Sequence, residues 1–285
     1  MLSEAQIGFF ESEGYLLIGG AIGGGQLRAL RRQFADWVEQ SRQHRQAYGR
    51  TLDGRARFDL EPGHSAQRPA LRRVNAPTDI SEDYYRAMRD SDIADYVAEL
   101  IGPNVKFHHS KINSKLPGAA TAVKWHQDFP FTPHSNDDLV TALLMLDDVV
   151  EENGPLQVVP GSHKGEIHDL WHGGVFTGAV ADEVARDSRP RAVTCCGAAG
   201  TLCLMHTRLL HGSGPNLSDL PRTLFIAVYS AEDAIPCTPN PVPSRHQGEI
   251  VRGEKTGRIR TTRYAIPLPQ LPESASFFDQ QTRSG

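Results

Sequence analysis

Apolar positions recur at helical spacing early in the chain and in short, strand-like runs later. Ser3 and Gln6 form a capping box, and Ile7 and Phe10 fall on one face of the short helix that follows. Tyr15, Leu16, Leu17 and Ile18 read as a strand closed by Gly19 and Gly20. Leu27, Leu30, Phe34, Trp37 and Val38 share one apolar stripe, which predicts a longer amphipathic helix. Residues 43–70 carry Arg, Gln, Gly and Pro without a clear period and are expected to form a long loop. Ile93, Tyr96, Val97, Leu100 and Ile101 mark a further helix, stopped by Gly102 and Pro103.

From about Val105 the pattern changes. KFHHSKINSKL, AVKWHQDF, LVTALLML, LQVVP, RAVTCC, TLCLM and RTLFIAVYS are short apolar or alternating runs separated by Gly, Pro, Asn and Asp. Many short strands with frequent turn residues predict a β-sandwich or closed barrel. Residues 165–189 interrupt the strands and are expected to cross the barrel mouth. The expected organisation is one domain over 1–285: a helical N-terminal part (1–104), a β core (105–231) and a Pro-rich, basic C-terminal extension (232–285). There is no internal repeat.

Composition narrows the function classes. The 285 residues, 39% of them hydrophobic, suffice for a sizeable core. A net charge of −4 gives no basic excess to suggest a nucleic-acid partner. No apolar run approaches a membrane span, and the N-terminus lacks a secretory pattern, so a cytoplasmic protein without a membrane partner is expected. Cys195 and Cys203 look like small buried hydrophobes, as suits a reducing compartment. The chain does not distinguish a monomer from a homodimer.

The chemistry concentrates in His126 and Asp128 of WHQDF and in His211 of LLHGSG. In an extended segment residues i and i+2 share a face, so His126 and Asp128 can grip one ion while Gln127 points away. Two histidines and a carboxylate with open positions match the facial triad of non-haem iron(II) oxygenases. HxD alone is a weak signal and also fits a solvent-facing strand pair. Trp125 and Phe129 place it at an apolar wall, and the glycine turn after His211 suits a ligand facing a cavity. Arg222 opens RTLFIAVYS and by period two shares a face with Leu224, Ile226 and Val228. If that face is the interior, a ligand carboxylate is a natural partner for its guanidinium; otherwise Arg222 merely begins an edge strand.

WHQD, NGPLQVVPGSHKG, and HTRLLHGSGPN followed by Arg222 resemble the phytanoyl-CoA dioxygenase family of iron(II)/2-oxoglutarate oxygenases, over about Arg72 to Ala231. The resemblance implies a double-stranded β-helix, the cupin-like jelly roll, mainly β with flanking N-terminal helices. It implies Fe(II) held by His126, Asp128 and His211, with 2-oxoglutarate and O2 as cosubstrates. Arg222 and Ser213 would bind the distal carboxylate of 2-oxoglutarate, with Gln127, Lys111, Asn113 and Arg73 as further cosubstrate contacts. A position where members often carry Trp is Leu143 here. The family's halogenases replace the carboxylate ligand with a small residue; Asp128 therefore favours hydroxylation of an aliphatic C–H, releasing succinate and CO2.

For the small-molecule substrate, His134 lies where it could line the pocket. Arg72, Arg73, Lys115, Lys124, Arg260 and Arg263 fit either a basic mouth for an anionic molecule or ordinary surface charge. Two other classes stay open on the residues alone: a non-catalytic jelly roll that binds a metal or small ligand, and a zinc hydrolase on a cupin-like barrel.

Overall fold

The computed structural model describes residues 1–117, 119–275 and 278–282. Its fourteen strands run in chain order as β1 (Tyr15–Ile18), β2 (Phe58–Leu60), β3 (Leu71–Asn75), β4 (Val105–Lys115), β5 (Val123–His126), β6 (Leu139–Met145), β7 (Leu156–Val158), β8 (Trp171–His172), β9 (Val175–Phe176), β10 (Val193–Cys195), β11 (Leu202–His206), β12 (His211–Ser213), β13 (Arg222–Ala231) and β14 (Ile250–Arg252). The helices are α1 (Glu4–Glu13), α2 (Gly24–Ser41), α3 (Glu82–Arg89), α4 (Asp92–Ile101), α5 (Asp182–Ser188) and α6 (Phe278–Gln281).

Two antiparallel sheets make the β-sandwich. The large one runs β1-β11-β6-β13-β4-β3-β2 with β14 added beside β4, and the small one runs β10-β7-β12-β5. This is the expected mainly-β jelly roll with N-terminal helices. The expected loop over 43–70 contains β2, and β3 follows directly. Their short runs interleave charge with apolar residues, which hides the strand period.

Strand alternation sorts the long central strand β13. Phe225, Ala227 and Tyr229 pack outward with Leu30, Phe34, Trp37, Tyr84 and Met88 of the helices. Leu224 and Ile226 point the other way, against Leu143, Met145, Leu156 and Met205 between the sheets. All ten residues of β13 are buried, because one face is covered by helices and the other by the small sheet. Ser3 caps α1 through the Gln6 amide in the expected box. Cys195 and Cys203 are free and buried in the inter-sheet core.

Residues 165–189 form the β8–β9 hairpin and α5. Leu170, Phe176 and Val180 pack on Trp125, and the Phe176 ring meets Phe131 at 5.7 Å. The segment thus buttresses the wall of the barrel instead of crossing its mouth. The C-terminal extension is the part that crosses. Arg55 donates to Pro272 O at 3.1 Å, Asn75 to Ala275 O at 2.8 Å and Trp171 to Leu268 O at 2.9 Å. Gln281 then ties α6 to β5 by accepting from Lys124 N at 3.0 Å. No helix among the described residues is long and apolar enough to cross a membrane.

Burial pushes the imidazoles of His134 and His206 down to about 4. An unfolded chain protonates such groups near 6.5, so it binds more protons than the folded one between those values. Stability from this source is therefore complete above about pH 6.5 and is lost as the pH falls toward 4. The thermal midpoint is expected to drop steadily from about pH 7 to about pH 4.5. Replacing both histidines by Gln should flatten that slope; an unchanged slope would contradict the assignment.

Candidate metal centre and its two cavities

His126 closes β5, His211 opens β12, and the two are direct partners in the antiparallel ladder. Directly opposed residues project to one face, and the ring centroids lie 4.1 Å apart. Asp128 arrives differently. The strand ends at His126, and Asp128 has helical dihedrals (φ −72°, ψ −34°) at the head of a tight turn over Phe129–Phe131. The same-face argument for i, i+2 assumed extended backbone, whereas a turn delivers the carboxylate.

Asp128 Oδ1 lies 3.6 Å from His126 Nε2 and 3.7 Å from His211 Nε2. The second oxygen, Oδ2, accepts a hydrogen bond from Thr141 Oγ1 at 2.8 Å. His126 Nδ1 sits 2.8 Å from Lys124 O, and His211 Nδ1 sits 2.9 Å from Leu209 O. A carbonyl can only accept, so each Nδ1 carries the proton and each Nε2 lone pair is left for a metal. The three donor atoms fall within 4.8 Å of one another. Burial pushes the Asp128 carboxyl up, but His211, His126 and Lys111 outweigh it and hold it well below the usual carboxylate range. Burial, with His126 beside it, pushes the His211 imidazole down to about 4. An ionised carboxylate and a neutral imidazole are the states a metal requires.

The cluster stands between two cavities. The first, about 490 Å³, runs from the cluster to Arg222 between apolar walls that include Leu143, Leu156 and Leu224. Arg222 is buried, and its Nε and Nη2 donate to Gly154 O at 2.9 and 2.6 Å. No carboxylate among the described residues pairs with it, and burial pushes its guanidinium down to about 10. Lys115 is the cross-strand partner of Arg222, and its Nζ donates to Ser213 Oγ at 2.7 Å. Burial, aided by Arg222, pushes that ammonium down to about 6. Asn113 Oδ1 lies in the same cavity, buried without a hydrogen-bond partner. A buried anion would satisfy Arg222 and Lys115. Gly154 holds the carbonyl that aims Arg222 at φ +74°, and a Cβ there would meet Gly214 O and Pro215 O at 2.8 Å. The residue must be glycine for both reasons.

The second cavity, about 640 Å³, opens on the other side of His126 and Asp128. Arg73, Asn75, His109, Lys111 and Phe131 line it, and Pro272 and Ala275 of the extension close it.

Several expected contacts fall elsewhere. Gln127 does point away from the cluster, and its amide donates to Glu166 O and Arg208 O at 3.0 and 2.7 Å. That amide is consumed by loop anchoring, and Gln127 lines neither cavity. Arg73 lines the second cavity, not the one ending at Arg222. Arg72, its neighbour, points to the opposite side of β3 and pairs with Asp59 at 2.5 Å, so it does not reach the substrate side. Lys115, expected on the substrate side, sits at the Arg222 end. His134 is buried behind the second cavity, with Nδ1 2.7 Å from Thr132 O, and does not line it. Thr141 and Gly154 escaped the sequence reading. The NGP turn marks Gly154, but nothing local marks Thr141.

A jelly roll with this cluster defines a dioxygenase class, and comparison with known proteins gives the family. The model of the phytanoyl-CoA dioxygenase family matches residues 10–224. The chain belongs to that family of iron(II)/2-oxoglutarate oxygenases. It is 34% identical over 218 residues to a probable alpha-ketoglutarate-dependent hypophosphite dioxygenase of Stutzerimonas stutzeri, covering 74% of this chain and 75% of that protein. It is 30% identical to an L-proline trans-4-hydroxylase of Streptomyces griseoviridis, covering 67% and 77%. Among solved structures, EctD from S. alaskensis with 2-oxoglutarate and 5-hydroxyectoine superposes with a TM-score of 0.66 at 21% identity, covering 94% and 88%.

Thr141→Val removes the hydrogen bond that fixes the Asp128 carboxylate. Ferrous-ion affinity is expected to fall about 10- to 100-fold with the fold intact. An unchanged metal titration would show that the bond does not orient the ligand.

Proposed function

We propose that this protein is an iron(II)- and 2-oxoglutarate-dependent dioxygenase that hydroxylates an aliphatic C–H of a small organic molecule. Substrate, O2 and 2-oxoglutarate give hydroxylated substrate, succinate and CO2, with one oxygen atom going to each organic product. The observation that carries this reading is the His126–Asp128–His211 cluster facing, across one cavity, a buried Arg222 without a carboxylate partner among the described residues. A zinc hydrolase has no use for that buried cation, and a metal sensor has no use for two separate cavities.

His126, Asp128 and His211 hold the iron, and their locked Nδ1–H and Oδ2 bonds keep the three donors aimed at it. Iron held by these three residues would supply the redox chemistry for using O2. Arg222, Lys115 and Ser213 take the distal carboxylate of 2-oxoglutarate, and Asn113 lines the same cavity. The anion favours the charged form of Lys115, which burial and the neighbouring Arg222 disfavour. Leu143, Leu156 and Leu224 exclude water from the keto acid's methylene chain. Asp128 supplies a third protein donor, which leaves no opening for a halide and supports hydroxylation. Relatives named for proline and hypophosphite support a small polar substrate.

Succinate formation should require both ferrous ion and 2-oxoglutarate, vanish with a chelator, and return with iron but not with zinc. Asp128→Ala and His211→Ala should abolish it; residual turnover in either would sink the proposal. Arg222→Met is expected to keep metal affinity and raise the KM for 2-oxoglutarate about 10- to 100-fold, the scale of a charge-assisted hydrogen bond.

A further inference from the structure

A buried histidine, His109, lines the second cavity and takes no part in holding the metal. It pairs with Val228 across the β4–β13 ladder while Phe107 pairs with Tyr229, so His108 is an extra residue in β4. In a regular strand residues 108 and 109 would face opposite sides; the bulge brings their imidazoles together, Nδ1 to Nδ1 at 2.7 Å. Asn240 pins the bulge by donating to His108 O at 2.9 Å. His108 in turn packs edge-to-face with His134, the ring centroids 4.9 Å apart. Burial pushes all three imidazoles down, so each is neutral and carries a single N–H.

The neighbours fix where each proton sits. Thr132 O can only accept, so His134 carries its proton on Nδ1, 2.7 Å away. Its Nε2 is then a lone pair, buried and without a hydrogen-bond partner. His108 Nδ1 is turned to His109, so an Nε2–H is the one donor His108 can offer that lone pair. A proton on His108 Nε2 makes its Nδ1 the acceptor, and His109 must donate to it from Nδ1. His109 Nε2 is therefore left as a bare acceptor on a residue that lines the chamber. We propose that His109 holds the substrate of the second cavity by accepting a hydrogen bond at Nε2, so that the substrate carries a donor, a hydroxyl or an N–H, near the carbon that faces the His126–Asp128–His211 cluster. The inference rests on the reading of the metal centre as a 2-oxoglutarate oxygenase and names the group that the substrate of that site presents. Phe131, Val228, Val242 and Pro272 give the rest of the molecule apolar walls. A molecule without the donor would bury the Nε2 lone pair unpaired, and the site rejects it for that reason.

The test uses full-length protein saturated with 2-oxoglutarate and with diamagnetic zinc in place of iron, its histidines labelled with heavy nitrogen for NMR. His109 should show its hydrogen on Nδ1 and a bare Nε2; the opposite tautomer overturns the proposal. Cyclopentanol is then titrated against its methyl ether, and 2-pyrrolidinone against its N-methyl derivative, with the His109 Nε2 resonance as the readout. At least one donor probe should shift that resonance and bind about fivefold or more tightly than its methylated counterpart, the scale of one hydrogen bond. Whichever probe prevails tells a hydroxyl from an N–H. His109→Phe should erase the preference, His109→Gln, whose side-chain carbonyl can still accept, should keep part of it, and both should hold 2-oxoglutarate affinity within about twofold. Equal binding within both pairs, no binding of any probe, or a preference that survives in His109→Phe overturns the proposal. If His109→Phe fails to fold, the wild-type tautomer and the paired probes decide. Iron-loaded wild type that binds no 2-oxoglutarate would instead sink the reading of the metal centre, which separates the two failures.

Discussion

The pairing of His126 with His211 across β5 and β12 is the constraint on which the site depends. It places two imidazoles on one face of the small sheet, and every other donor is measured from that point. The turn after β5 brings Asp128 back to within 3.7 Å of both rings. The large sheet answers from across the sandwich: β6 contributes Thr141 to fix the carboxylate, and β13 contributes Arg222 at the far end of a cavity. Neither sheet alone holds a site. The inter-sheet core, with Leu143, Met205, Leu224 and Ile226, sets the spacing between the halves.

Charge is distributed unevenly along that axis. At one end Arg222 and Lys115 are buried against each other, a repulsive arrangement that an anion relieves. In the middle an ionised carboxylate faces the neutral imidazole of His211. On the far side Arg73 and Lys111 again bring positive charge. The protein is acidic overall, at −4, so net charge gave no hint of a basic interior. The inward faces of β3, β4 and β13 decide the electrostatics, and the surface balances them.

Much of this was legible in the sequence, for identifiable reasons. Period two on RTLFIAVYS put Arg222 on one face with Leu224 and Ile226, and packing between the sheets makes that face the inward one, because a strand buried on both sides still alternates its partners. The HxD and HGSG motifs, taken with the family resemblance, were enough to pick out the cluster. The side each basic residue faces was not legible. Lys111 and Lys115 share a face of β4 yet lie at opposite ends of the site, while Arg72 and Arg73 differ by one residue and point to opposite faces. Those outcomes depend on strand register between segments far apart in sequence, which composition does not encode. Gln127 shows the opposite error: strand geometry already pointed it away, and the family pattern alone argued it back.

Among the described residues, the C-terminal extension contributes only β14 to the large sheet and no donor to the metal cluster, yet Pro241, Val242, Pro272 and Ala275 form one wall of the second cavity. The scaffold that assembles the reactive centre and the segment that shapes the chamber are thus separate stretches of one chain. Sequence drift in the extension can change which molecules fit without disturbing the histidine pair. Divergence in substrate and constancy in chemistry are, in this architecture, properties of different parts of the polypeptide.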